Sequence, residues 1–437
     1  MSLYVPAGRR IRLRPEPLGS GAEGDIFRLT DTDDLCAKLY LTPAPAVRDR
    51  LEALMRLPIA TWGGDNREHL HAAWPASVLV DDAGDSRGFL MPLIDGMPTN
   101  MLFDSRLRLE ALAEPTWRTM IAVAARIARL FAMLHRDGIV IGDVSPTNVI
   151  VARSGHVTLI DCDTIQFTEP STARRYPHTK VTPEYSPPES SGGQVLEPSH
   201  DVFGLAIMTC QLLMNGQHPF EGVPSNPSVD SDLTWDNIRM QNNRITHPER
   251  LVNIAGSLPP SVLPPRVLQL AQSAFGAGHT DPGSRPSAAD WAAALDQAGF
   301  ELMGCHLNHR HLYHRSLPNC IWCAQIAAGF ADPYPAARQP AGQAAFQGAT
   351  VPVATAAPPR PAVSPYPPPP APSRTAPTRP VPAPPPPPPI SRPDPFRPAP
   401  PSPTPARSGT GGGGAGGAVA VVVALIVIVL IIAALVH

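Results

Sequence analysis

The spacing of apolar and polar positions changes period once along the first three hundred residues. Arg10 to Arg14, Ile26 to Thr30 and Leu35 to Tyr40 read as short strands separated by turn residues, and a helical spacing follows near Val47 to Leu57. Two more strand patterns lie at Ala76 to Val80 and Phe89 to Ile94. After Pro115 the period lengthens, and apolar residues recur at helical spacing over Trp117 to His135, Val202 to Met214 and Ala288 to Ala298. The pattern predicts an α+β domain over residues 1–300, with a small sheet lobe over about 1–95 and a larger helical lobe over about 96–300.

Composition ends the foldable part near residue 330. Of the 57 prolines, 29 fall between residues 331 and 410, in runs such as Pro384 to Pro389 that support neither ladders nor helices. Residues 331–417 therefore read as a disordered, extended linker rich in Pro and Gly. Ala418 to Val436 is an unbroken run of 19 apolar residues. As a helix it spans about 28 Å, close to a bilayer core, and it predicts a single transmembrane helix over 418–436. Arg392, Arg397 and Arg407 precede this run and only His437 follows it, so the N-terminal side is expected in the cytoplasm. Met1 to Arg14 is short and mixed, which argues against a secretory leader. A net charge of -2 without a basic stripe argues against a nucleic-acid partner.

Chemistry gathers in separated motifs. Gly19-Ser20-Gly21-Ala22-Glu23-Gly24-Asp25-Ile26 fits G-x-G-x-x-G-x-V, with glycines where a hairpin brings its backbone close to phosphate oxygens. Alone the spacing is common. Lys38 then stands inside the apolar strand Leu35 to Tyr40, where a charge is costly without an anionic partner; a solvent-facing edge lysine is the plain alternative. Asp143 and Asn148 follow the helix ending near His135 at D-x-x-x-x-N spacing, and Asp161 closes the apolar strand Val157 to Ile160. A single aspartate in such a place is most often a cap or turn residue.

Taken in order, these motifs resemble the protein-kinase superfamily, and the resemblance implies a bilobal fold with an antiparallel small lobe. It implies ATP and Mg2+, or Mn2+, as cofactors, with Asp143 as catalytic base, Lys38 on the nucleotide phosphates, and Asn148 and Asp161 holding the metal. Gly19, Ser20, Gly21, Gly24, Ile26, Ala37, Lys38, Met91 and Leu93 would line the nucleotide site. Glu52 is expected to pair with Lys38, with Asp49 the alternative. Glu189 in Pro187-Pro188-Glu189 would pair with Arg285, and Asp201 would brace the catalytic loop; Glu52, Glu189, Asp201 and Arg285 are structural in role. Three departures are visible. Ser145 stands where Ser/Thr kinases carry a lysine, Ile141-Gly142 replaces His-Arg before the base, and Cys162-Asp163 replaces Phe-Gly. The expectation is transfer to Ser/Thr hydroxyls of protein substrates. A pseudokinase scaffold that binds ATP and recruits partners is the rival reading, and a small-molecule kinase of the same fold is a second.

Past the helical lobe, residues 301–330 contain Cys305, His306, His309, His311 and His314, followed by Cys320-Ile321-Trp322-Cys323. A C-x-x-C pair with a third cysteine and nearby histidines suits structural zinc, with redox sensing by the pair as the alternative. His311 is the expected fourth ligand, with His309 and His314 open. The segment resembles a Cys/His element that follows the kinase domain in a group of bacterial kinases. That resemblance implies partners of the PP2C-type phosphatase and von Willebrand A-type classes.

Overall fold

The computed structural model describes residues 2–42, 45–57, 70–190, 195–226 and 234–336. The linker from residue 337 onward and the apolar run 418–436 lie outside these residues. Among the described residues no helix is long and apolar enough to cross a membrane.

Seven strands make one antiparallel sheet: β1 (Leu3–Tyr4), β2 (Arg10–Ile11), β3 (Leu13–Ser20), β4 (Gly24–Leu29), β5 (Leu35–Tyr40), β6 (Ser77–Val80) and β7 (Ser86–Pro92). Their spatial order is β2-β1-β6-β7-β5-β4-β3. The strand expected at Arg10 to Arg14 breaks at Arg12, and its second part runs on through Pro15 and Pro17 into the glycine motif. Proline has no N–H for a ladder, so this strand is confined to the sheet edge, where its register slips around Pro17. β5 lies inside the sheet, with Lys38 opposite Ile26 on β4 and Phe89 on β7. Gly88 permits this approach, because a Cβ there would sit 1.9 Å from the Lys38 carbonyl oxygen. The helix α1 (Pro45–Met55) packs Leu51 against Val78 and Phe89 of the sheet.

The helical lobe runs through β8 (Met97–Pro98), α2 (Ser105–Ala111), α3 (Trp117–Arg136), β9 (Val149–Val151), β10 (Val157–Leu159), β11 (Phe167–Thr168), β12 (Arg175–Tyr176), α4 (Pro198–Leu213), α5 (Thr234–Arg239), α6 (Pro265–Phe275), α7 (Ala277–Thr280) and α8 (Ala288–Phe300). Its axis is α3. Thr116 and Thr119 close a capping box at the start, and Trp117, Ile121, Ala124, Ala128, Phe131 and Leu134 form a buried stripe at helical spacing. That stripe packs on α8 and α4. Each fully buried large side chain contributes on the order of 2 kcal/mol. Gly138, at φ 72°, ends α3 in the left-handed region and turns the chain into the loop that carries Asp143 and Asn148. A last unit of β13 (Leu302–Gly304), β14 (Leu312–His314) and α9 (Ile321–Ala327) is held by Trp322, edge-on to Trp117 at 5.8 Å and to Tyr334 at 5.2 Å.

Candidate active site

Strand alternation decides which β5 side chains reach the cleft between the lobes. Cys36 and Lys38 face it, while Ala37 points into the opposite cluster with Leu29, Leu79 and Leu90. Ala37 is therefore corrected: it does not line the cleft, and Cys36 does. Gly19, Ser20, Gly21, Gly24, Ile26, Met91 and Leu93 are on the cleft wall, which encloses about 650 Å³. The glycines have different reasons. A Cβ on Gly24 would meet the Leu39 carbonyl oxygen at 2.3 Å, so this position serves strand packing. Gly19 has open space above it, and Gly21 only a 3.6 Å contact, so their backbones are free to approach an anion.

Lys38 finds its anions beneath the cleft. Nζ lies 2.5 Å from Asp161 Oδ1, 2.9 Å from each oxygen of Asp163 and 3.6 Å from Glu23. Burial alone would lower the Lys38 pKa, but Asp163 and Asp161 outweigh it and hold the ammonium above its ordinary range. Glu52 is not the partner: its carboxylate takes Arg48 at 2.8 Å, and Asp49 lies 3.5 Å from Arg174. The helix that should present a glutamate presents Arg50 instead. Its guanidinium, buried and donating, reaches the carbonyl oxygens of Asp163, Ile165 and Pro177. With Arg50 pinning the turn after Asp161, Asp163 is carried under Lys38, and the Tyr40 hydroxyl donates to its Oδ2 at 2.8 Å. Sequence reading singled out Asp163 only as a departure; its pairing with Lys38 needs the turn Cys162–Thr164, which spacing does not show.

The loop that carries Asp143 and Asn148 hangs from Asp201. This fully buried carboxylate, in the first turn of α4, accepts from the Ile141 and Gly142 N–H groups at 2.7 and 2.9 Å and from His135 at 2.9 Å. Burial pushes its pKa up, and the bonds to His135 and His200 overcome that and hold it below the carboxylate range. Asp143 follows, 1% exposed. Thr182 donates to its Oδ1 at 2.6 Å, Asn148 Nδ2 donates to its Oδ2 at 3.3 Å, and Lys180 Nζ stands 3.4 Å from Oδ2. Asn148 commits its nitrogen to Asp143, so its oxygen is the atom left for a cation. Asp161 meets Lys38 through one oxygen and has φ 61°, a left-handed backbone that costs most residues but that aspartate tolerates. One carboxylate oxygen and one amide oxygen on the cleft floor suit a hard divalent cation such as Mg2+.

The segment beyond the cleft is anchored at Glu189. Arg285 grips Glu189 with two nitrogens at 2.6 and 2.8 Å. Gly142, at φ 75°, lies against His178, where a Cβ would come within 2.8 Å of the His178 Cβ. Ser145 is turned inward, bonded to the Thr147 hydroxyl at 2.7 Å.

At the far end of the helical lobe, Cys305, His311, Cys320 and Cys323 place one ligand atom each within 4.8 Å of one another. Cys305 and Cys323 sulfurs are 3.5 Å apart, and His311 Nδ1 is 3.5 Å from Cys323 and 3.7 Å from Cys320. A tetrahedron with metal–sulfur bonds of about 2.3 Å has edges near 3.7 Å, so the four atoms fit a closed zinc-type site. His311 Nε2 is bonded to Asp332 at 2.8 Å, an outer carboxylate that fixes the ring. Of the alternatives, His314 is engaged with Glu301 at 2.8 Å and His309 is exposed.

Residues 89–294 match the family described as protein kinase domain. Protein kinase YegI of Escherichia coli (strain K12) is 32% identical over 342 residues, a match covering 74% of this chain and 50% of that protein. Serine/threonine-protein kinase PkaA of Streptomyces coelicolor is 26% identical over 255 residues, covering 53% of this chain and 46% of that protein. The chain spans about half the length of these curated relatives. Over residues 89–294 the two-lobed chain is similar to a protein kinase domain.

Proposed function

We propose that the chain transfers the γ-phosphoryl group of ATP to a Ser or Thr hydroxyl of a protein substrate. The observation that carries this reading is the surrounding of Asp143: a buried carboxylate bonded by Thr182 from the segment before Glu189 and by Asn148 from its own loop. A carboxylate held from two sides is set to accept a hydroxyl proton. Lys38 would hold the nucleotide phosphates, and the backbone of Gly19 and Gly21 would cover them. Asn148 and Asp161 would hold Mg2+, which supplies charge neutralisation across the β- and γ-phosphates.

The Cys305, His311, Cys320 and Cys323 cluster is proposed to hold structural zinc, and the run 418–436 to tether the kinase to the cytoplasmic face of a membrane. PP2C-type and von Willebrand A-type partners stay with the resemblance noted from sequence.

The test is incorporation of radiolabelled phosphate by the full chain, with Asp143→Asn beside it. Loss of at least a hundredfold in Asp143→Asn, with ATP binding retained, is the expected result. A wild-type chain that binds ATP without transferring phosphate favours the recruiting scaffold.

A further inference from the structure

Phosphoryl transfer concentrates negative charge on the moving group, and a site that stabilises it needs cations close to the base. The catalytic loop supplies none: Ser145 is uncharged and turned onto Thr147. Among the described residues lining the cleft the cations are Arg28, Lys38 and Lys180. Arg28 lies on β4 opposite Cys36, and Lys38 is bound to Asp161 and Asp163. Lys180 differs from both. It is 42% exposed, its Nζ is 3.4 Å from Asp143 Oδ2, and it stands on the cleft wall with Asn148 and Asp161. Two residues on, Thr182 bonds the other oxygen of the same carboxylate at 2.6 Å. The short stretch Lys180-Val181-Thr182 thus brings a cation and a hydroxyl to the two oxygens of Asp143.

We propose that Lys180 is a catalytic residue, whose ammonium supplies at the transferring phosphoryl group the positive charge that the catalytic loop lacks. The inference rests on the kinase reading above. In the step it serves, the bond between the γ-phosphorus and the bridging oxygen breaks and that oxygen leaves on ADP. A bond forms from phosphorus to the substrate hydroxyl oxygen, and the hydroxyl proton passes to Asp143. Lys180 keeps its protons throughout and contributes charge alone. Because a lysine at residue 145 would stand two residues from the base, the same charge has a second route into the site.

The experiment measures kcat and the KM for ATP of the full chain, of Lys180→Met, and of Lys180→Met combined with Ser145→Lys. Lys180→Met is expected to lower kcat by about a hundredfold, with the KM for ATP within about threefold of wild type. The double variant is expected to recover at least about tenfold of that loss, which a merely structural role of Lys180 would not produce. Unchanged kcat in Lys180→Met, beside a dead Asp143→Asn, overturns this proposal and leaves the kinase reading standing. A rise in kcat also overturns it, by showing a plug over the base. No recovery in the double variant, with nucleotide binding intact, counts against charge as the cause. An inert wild-type chain removes the reading and this inference together.

Discussion

Asp163 changes how the lysine of the cleft is held. A buried ion pair is weak evidence for net stability, but breaking one side leaves the other charge uncompensated, at about 3 to 5 kcal/mol. Lys38 and Asp163 are both nearly inaccessible, so Asp163→Asn is expected to lower the unfolding free energy by about 3 kcal/mol and to raise the KM for ATP. Glu52→Gln, which touches only the exposed Arg48, is expected to leave the denaturation midpoint and the KM for ATP at wild-type values. Equal effects of the two substitutions would reverse the assignment. The sequence made the cost of a lysine in an apolar strand plain, but not which acid answers it. Glu52 has the expected distance along the chain, yet the side of α1 that meets the turn carries Arg50. Ala37 failed for a similar reason: it is one position out of phase with Lys38, and a strand turns alternate residues to opposite faces.

Elements that depend on spacing and period were legible, and elements made by long-range pairing were not. The α3 stripe, the strand at Leu35 to Tyr40 and the C-x-x-C pair all announce themselves in local pattern. The contacts of Thr182 and Lys180 with Asp143 join residues nearly forty positions apart, and the carboxylate of Asp332 behind His311 is 21 residues away. At this scale the Cys/His unit carries its own test. Trp322 lies between the two cysteines of the C-x-x-C pair and packs on Trp117 at the start of α3, so the candidate metal site and the large lobe share one joint. Stripping metal from the full chain with a strong chelator is expected to lower its melting temperature by several degrees, and Cys323→Ser to do the same without chelator. Readdition of Zn2+ should restore the first sample and not the second. Indifference to both treatments would mean that the cluster is no structural metal site.

For the molecule as a whole, acid sensitivity follows from His218, which ties the segment around Glu184 to the lobe interior. Its Nε2 donates to the Glu184 carbonyl at 3.0 Å, and its Nδ1 accepts from the Phe220 N–H at 3.1 Å, an arrangement only the neutral ring can make. Burial lowers its pKa to about 4, against about 6.5 when unfolded. Above pH 6.5 the ring is neutral in both states and stability is level. As pH falls from 6.5 toward 4 the unfolded chain takes up the proton first, so unfolding becomes easier by a few kcal/mol. Urea midpoints across this window should fall in wild type and fall less in His218→Gln; parallel curves would remove His218 as the cause. Arg50 has a consequence of a different kind. Its guanidinium is spent on three carbonyl oxygens whose charge never alters, and residue 142 is glycine. If the chain transfers phosphate as proposed, the stretch that carries those oxygens is expected to hold its shape without a phosphate group added to it.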